Sequence, residues 1–178
     1  MTKKKLTFDQ LAERFNDIKL LALDVDGVLT DDKIFFGADG FEMKQFSISD
    51  GFFIVLAMRA GLEIAVISGR PSPATITRMK DLGVKHILQA MVDKREQIKP
   101  LLKKLDITLN EVAFMGNELL DIGLSKEVGL SLAVADAAAE LTEIVDYVTE
   151  HKGGNGVVRE VIKAYMKGKG IDPLDYVI

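Results

Sequence analysis

Asp24-Val25-Asp26-Gly27-Val28-Leu29-Thr30 directly follows the apolar run Leu20–Leu23. Two carboxylates two residues apart, at the mouth of a buried strand, make one anionic pocket. Such a pocket can hold a divalent cation through hard oxygen ligands and present one carboxylate as a nucleophile. A carboxylate ending a buried strand needs a partner, because desolvating it alone is costly, and a cation is the natural one. Asp-x-Asp-Gly also opens a calcium loop. Here, however, the twelfth position from Asp24 is Phe35 rather than glutamate, and an apolar strand rather than a helix precedes the motif.

The elements that must position this pair are legible as alternating patterns. Short apolar runs at Leu20–Leu23, Glu63–Ile67, Lys85–Leu88, Val112–Met115, Leu130–Val134 and Val145–Val148 read as strands. Helical spacing covers Phe52–Ala60, Pro73–Leu82, Lys94–Leu105, Leu119–Glu127, Ala137–Glu143 and Val157–Met166. Ser72 and Pro73 suit a helix start, and Gly61 and Gly83 fall where helices should end. Continuous apolar runs with helices between them predict an α/β fold, a doubly wound parallel sheet covered on both faces. One segment breaks the alternation: residues 33–47 read as a β-hairpin around Ala38-Asp39-Gly40, inserted after the first strand. Its phenylalanines, Phe35, Phe36, Phe41 and Phe46, are many for an edge hairpin, so it either packs on its own domain or is buried against another subunit, the second being favoured. No large cap domain is expected, and residues 1–178 read as a single domain with a loosely tied tail at 167–178.

Open α/β sheets bind ligands outside the carboxyl ends of their strands. The residues just past each strand are therefore informative. The second run ends in Ser68-Gly69-Arg70, the third leads to Asp93-Lys94, and the fourth ends in Gly116-Asn117-Glu118 with Asp121 one turn later. Taken singly, each has a plain reading. Ser68-Gly69-Arg70 can be a turn, Lys94-Arg95-Glu96 a solvated helix start, Arg78 with Lys80 and Asp81 a surface, and Asp50-Gly51 a helix cap. Together they put carboxylates, a hydroxyl, a lysine and an arginine on one rim, which suits phosphate chemistry.

These motifs, in this order, resemble the haloacid dehalogenase superfamily of phosphohydrolases. The resemblance rests on Asp24-x-Asp26-Gly27-Val28-Leu29-Thr30, Ser68, Lys94 and Gly116-Asn117-Glu118-x-x-Asp121, and spans about residues 18–160. A finer likeness is to the small phosphatases of 3-deoxy-D-manno-octulosonate (KDO) 8-phosphate and of nonulosonate 9-phosphates. It is carried by the hairpin, Ser49-Asp50-Gly51, Ser68-Gly69-Arg70, Ala133-Val134-Ala135-Asp136-Ala137 and Gly153-Gly154-Asn155-Gly156-Val157-Val158-Arg159-Glu160.

The resemblance implies Asp24 as nucleophile and Asp26 as acid and base. It implies Ser68 and Lys94 on the phosphoryl group, and magnesium held by Asp24, Asp26 and Asn117 with Glu118 and Asp121 behind them. It further implies that Ser47, Ile48, Ser49, Asp50, Gly51, Arg70 and Arg78 line the sugar-acid side. A homotetramer is implied as well, with the glycine-rich segment lying near a neighbouring subunit's active site. The expected reaction is hydrolysis of a sugar-acid phosphate through an aspartyl-phosphate, with KDO 8-phosphate, in lipopolysaccharide precursor synthesis, as the leading substrate. A nonulosonate 9-phosphate is the alternative substrate, and a catalytically silent oligomer of the same fold is the rival from another class. The chain departs from the family where Asn117 and Glu118 replace one or both of the usual aspartates. That change is expected to alter metal affinity rather than abolish the site.

Composition bounds the rest. A formal net charge of −4 disfavours non-specific nucleic-acid binding. The absence of cysteine excludes disulfides and thiolate chemistry. No apolar stretch is long enough to span a bilayer, and the N-terminal Lys3-Lys4-Lys5 precedes an amphipathic segment rather than an apolar block, so a cytoplasmic protein is expected. Gly154-Asn155-Gly156-Val157-Val158-Arg159 approaches a dinucleotide fingerprint but has arginine in place of the third glycine. His86 and His151 are too isolated for a metal cage.

Overall fold

A computed structural model describes residues 3–90 and 93–177, so the extreme ends of the expected domain and tail, residues 1, 2 and 178, lie outside it. In chain order the strands are β1 (Leu20–Leu23), β2 (Phe35–Phe36), β3 (Glu42–Met43), β4 (Glu63–Ile67), β5 (His86–Leu88), β6 (Val112–Gly116), β7 (Leu130–Ala133) and β8 (Tyr147–Val148). The helices are α1 (Phe8–Arg14), α2 (Ile48–Arg59), α3 (Pro73–Asp81), α4 (Lys94–Leu105), α5 (Ile122–Ser125), α6 (Ala139–Ile144) and α7 (Val157–Gly168). Six strands pair in parallel in the order β5-β4-β1-β6-β7-β8, while β2 and β3 pair antiparallel as the inserted hairpin.

Alternation along β1 explains both faces of the sheet. Leu21 and Leu23 point into a core shared with α1, α2 and α7, whereas Leu20 and Ala22 point to the side of α4 and α5, against Ile98, Leu101 and Leu124. The first core includes Phe15 of the turn after α1, edge-on to Tyr165 of α7 at 5.9 Å between ring centroids. Both faces are thus buried, as the unbroken apolar runs require. The chain winds from β1 to β4 and β5 on one side, then returns to β6 on the other. The switch point therefore lies between β1 and β6, and ligands of such sheets bind there.

Two elements and the tail depart most from the sequence reading. α2 begins at Ile48 rather than Phe52, because the Ser47 Oγ accepts the Asp50 amide at 3.2 Å and starts the helix a turn early. The expected helix from Leu119 is a 3-10 turn, Leu119–Asp121, followed by the short α5. Glu118 and Asp121 cap that turn reciprocally. The tail is not loose. Residues 167–168 complete α7, Ile171 and Tyr176 pack on the core, and the Arg59 guanidinium donates to the Tyr176 carbonyl at 2.9 Å.

Candidate active site

β1 delivers Asp24 to the carboxyl edge of the sheet, where its amide donates to the Met115 carbonyl of β6 at 3.0 Å. The chain then folds into a tight loop. Leu29 donates to the Val25 carbonyl at 3.0 Å, while the Thr30 Oγ1 accepts from Gly27 and donates to Val25, each at 3.3 Å. Gly27 has φ +88°, where a side chain is disfavoured. A Cβ there would also collide with the Asn117 side chain.

Lys94 opens α4, whose cap is the Asp93 carboxylate accepting from the Arg95 amide at 3.0 Å. Its ammonium donates to Asp24 Oδ1 and, at 2.5 Å, to Asp121 Oδ1, with the Phe114 ring centroid 5.6 Å away. The other Asp121 oxygen accepts the amides of Asn117 at 2.8 Å and Glu118 at 3.1 Å. Gly116 leaves the space that the Asp121 carboxylate fills. One buried lysine thus ties the end of β1 to the turn after β6. Burial, with the Asp121 charge, pushes the Asp24 carboxyl up to about 7 against the pull of Lys94. Burial also works against the Lys94 ammonium, but Asp24 and Asp121 outweigh it and hold its pKa above the ordinary value.

Asp26 stands at the open side. Its Oδ1 forms an ion pair with Lys44 Nζ at 2.6 Å, and its Oδ2 lies 3.7 Å from Arg70 Nε. Arg70 in turn donates to Glu42 at 2.6 Å, and Ser72 Oγ donates to the same carboxylate at 2.5 Å. The Arg70 bond is the main cause holding the Glu42 carboxyl below its usual range. Ser68 is buried at the end of β4, its Oγ accepting the Arg70 amide at 3.2 Å.

A cavity of about 310 Å³ brings together Asp24, Asp26, Ser68, Arg70, Lys94, Asn117, Glu118 and Asp121. The remaining expected residues lie elsewhere. Ser47 caps α2 and Ile48 is exposed. Ser49 sits half-buried in the first turn of that helix. The buried Asp50 accepts the amides of Gly156 at 3.0 Å and Arg159 at 2.8 Å, which moors the start of α7 to α2. Gly51 leaves room for the Arg78 guanidinium, and Arg78 pairs with Asp81 at 2.9 Å on a separate groove of about 830 Å³ between the hairpin and α3.

Gly153 and Gly154 pack on this chain's own loop, with Gly154 donating to the Val28 carbonyl at 2.9 Å and no space for a Cβ on either. Sequence reasoning passed over Lys44, Glu42 and Asp32. The first two were findable. In a strand beginning at Phe41, residues 42 and 44 share one face, and both are charged. Asp32 lines the cavity with φ +64°, its carboxyl raised by burial and by the neighbouring Asp26 and Glu118 charges.

A family model of haloacid dehalogenase-like hydrolases matches residues 84–161. The chain is 41% identical over 162 residues, 91% of its own length and 86% of the relative's, to the 3-deoxy-D-manno-octulosonate 8-phosphate phosphatase KdsC of Escherichia coli K12. This chain is a haloacid dehalogenase-like hydrolase. Among solved structures, the Yersinia pestis phosphatase of the same name superposes with a TM-score of 0.88 at 37% identity, over 90% of this chain and 86% of that one. The Moraxella catarrhalis phosphatase, solved with a magnesium ion, a phosphate ion and KDO, gives 0.87 at 35% identity, over 91% and 93%. The hydrolase is accordingly a phosphoric monoester hydrolase.

Its oxygen donors fit a hard divalent cation. Asn117 Oδ1 is buried with no hydrogen-bond partner, beside the Asp24 carboxylate on the same cavity. An orphaned buried carbonyl oxygen is costly unless something positive occupies the space before it. Among the described residues no three carboxylate or imidazole side chains converge as a metal cage, so an amide oxygen would complete the set. Glu118 lines the same cavity, with one carboxylate oxygen accepting the Leu119 amide at 3.1 Å.

Proposed function

We propose that this hydrolase is a magnesium-dependent phosphomonoesterase of a sugar-acid phosphate, 3-deoxy-D-manno-octulosonate 8-phosphate, acting through an aspartyl-phosphate. The observation that carries this reading is the single cavity uniting Asp24, Asp26, Ser68 and Lys94 at the switch point of the sheet. The 41% identity to the Escherichia coli KdsC protein supports the substrate.

Asp24 is the nucleophile, because it is the carboxylate at the cavity floor whose position Lys94 fixes on one oxygen. Asp26, more open, protonates the leaving alkoxide and then takes a proton from the water that cleaves the acyl phosphate. Ser68 and Lys94 offer donors to the phosphoryl oxygens. Magnesium, held by Asp24, Asn117 and the main-chain oxygen of Asp26, whose carboxylate is left for proton transfer, would offset the repulsion between the phosphate dianion and the Asp24 carboxylate. Arg70, whose Nη2 is buried without a partner, is the planar donor suited to the sugar carboxylate.

The active form is proposed to be a cytoplasmic homotetramer. Phe35, Phe36, Phe41 and Met43 leave the hairpin an exposed apolar face that a second copy would cover. No helix among the described residues is long and apolar enough to cross a membrane.

Purified protein with magnesium should release phosphate from KDO 8-phosphate with a higher kcat/KM than from a nonulosonate 9-phosphate. Asp24→Asn should abolish that release. Turnover that survives the substitution rules out the aspartyl-phosphate route.

A further inference from the structure

We propose that Lys44 is a positioning residue for Asp26, and that the hairpin is thereby part of the catalytic machinery; this rests on the phosphatase reading above. The Lys44 side chain is 0% exposed although it starts from a hairpin whose apolar residues are largely open. Burying an ammonium is unfavourable unless a specific partner holds it. Its partners here are Asp26 Oδ1 at 2.6 Å and Thr75 Oγ1 of α3 at 3.4 Å.

Strand alternation explains why one hairpin does two things. Phe41 and Met43 are exposed, while Glu42 and Lys44 reach two residues that line the catalytic cavity, Glu42 binding Arg70 and Lys44 pairing with Asp26.

The consequence is chemical. Oδ1 of Asp26 is buried and paired by charge with the Lys44 ammonium, so Oδ2 is the oxygen left to exchange a proton with substrate. In the first half-reaction a bond forms between an Asp24 oxygen and phosphorus. The ester P–O bond breaks, and its electron pair takes the proton from Asp26 Oδ2. Lys44 touches none of these atoms. It fixes which Asp26 oxygen faces them, and a hairpin displaced from its seat would release Asp26.

The test uses leaving groups. An alkoxide leaves only with a proton, whereas 4-nitrophenolate leaves unassisted, and kcat/KM reports the step in which the leaving group departs. Lys44→Met should lower kcat/KM on KDO 8-phosphate by about 10²-fold, the low end of what general-acid catalysis supplies. On 4-nitrophenyl phosphate the loss should stay within about tenfold. Lys44→Arg, which keeps a donor and the charge, should recover at least half of the logarithmic loss, and it carries the comparison where Lys44→Met does not fold. In an Asp26→Asn background, Lys44→Met should add less than about a further twofold, because residues acting as a unit are not additive. Equal losses on the two substrates, or additive losses with Asp26→Asn, overturn the positioning role and leave the phosphatase reading standing. Wild-type protein inert to both substrates overturns the reading itself.

Discussion

Asn117 fills the space that Gly27 leaves by having no side chain, and its Oδ1 is buried without a hydrogen-bond partner. The two residues come from different strand ends, β1 and β6, so this contact exists only because those strands are neighbours. In the proposed metal set it puts a neutral oxygen where a charged one would hold the cation more tightly. Asn117→Asp should therefore tighten magnesium binding by about tenfold or more, since cation affinity follows ligand charge. Calorimetric titration of the phosphate-free protein measures it. Unchanged affinity would mean that position 117 does not touch the ion.

Lys94 compensates two buried carboxylates at once, Asp24 and Asp121. Lys94→Met leaves both uncompensated, and unpairing a buried charge costs about 3–5 kcal/mol. Chemical denaturation should show that loss together with loss of turnover. Restoring stability with Asp121→Asn, but not activity, would separate the structural role of the lysine from its catalytic one.

Gly153 lies directly against the Gly27 carbonyl, with no room for even a methyl group. Gly153→Ala must displace the loop that carries Asp26, at a cost of roughly 1–3 kcal/mol for overpacking. A lowered melting temperature and a reduced kcat should appear together, although residue 153 touches no substrate. Wild-type kinetics in this variant would show that the loop does not depend on that support.

Asp146 supplies a pH dependence remote from the site. Burial raises its carboxyl, but Lys3 at 2.6 Å and the Ser131 amide and hydroxyl at 2.9 and 2.8 Å outweigh it and hold the pKa below the ordinary value. A carboxyl depressed by folding stabilises above its unfolded pKa, about 3.9, and loses that contribution as pH falls through the folded value. Asp146→Asn should thus lower the melting temperature at neutral pH, by the equivalent of about 1 kcal/mol, the net worth of one ordinary hydrogen bond. The gap from wild type should close as pH drops below about 4. A gap that is constant with pH would assign the effect to packing.

The sheet was legible because its strands are buried on both faces. Runs such as Val112–Met115 need no periodicity to stand out, and β1, β4 and α4 have the bounds that the runs and caps imply. Boundaries set by single side chains were less legible. Ser47 starts α2 early, and Glu118 with Asp121 break the next helix into a 3-10 turn, through hydrogen bonds that compete locally with helix propagation.

The chemistry divides in the same way. The sequence alone determined the groups that converge, Asp24, Asp26, Ser68, Lys94 and Asp121, because each follows a strand end or opens a helix, and parallel sheets put those ends on one edge. Only the tertiary structure decided what each group holds. It turned Asp50 inward to α7, laid Gly153 and Gly154 on the chain's own loop, and sent Lys44 and Glu42 from the hairpin to Asp26 and Arg70. Residues 18 to 70 positions apart meet in those last two pairings and in Lys94 with Asp24 and Asp121. Sequence spacing carries helix and strand periodicity over a few residues, whereas the partner of a buried charge is set by which strands and insertions become neighbours in space.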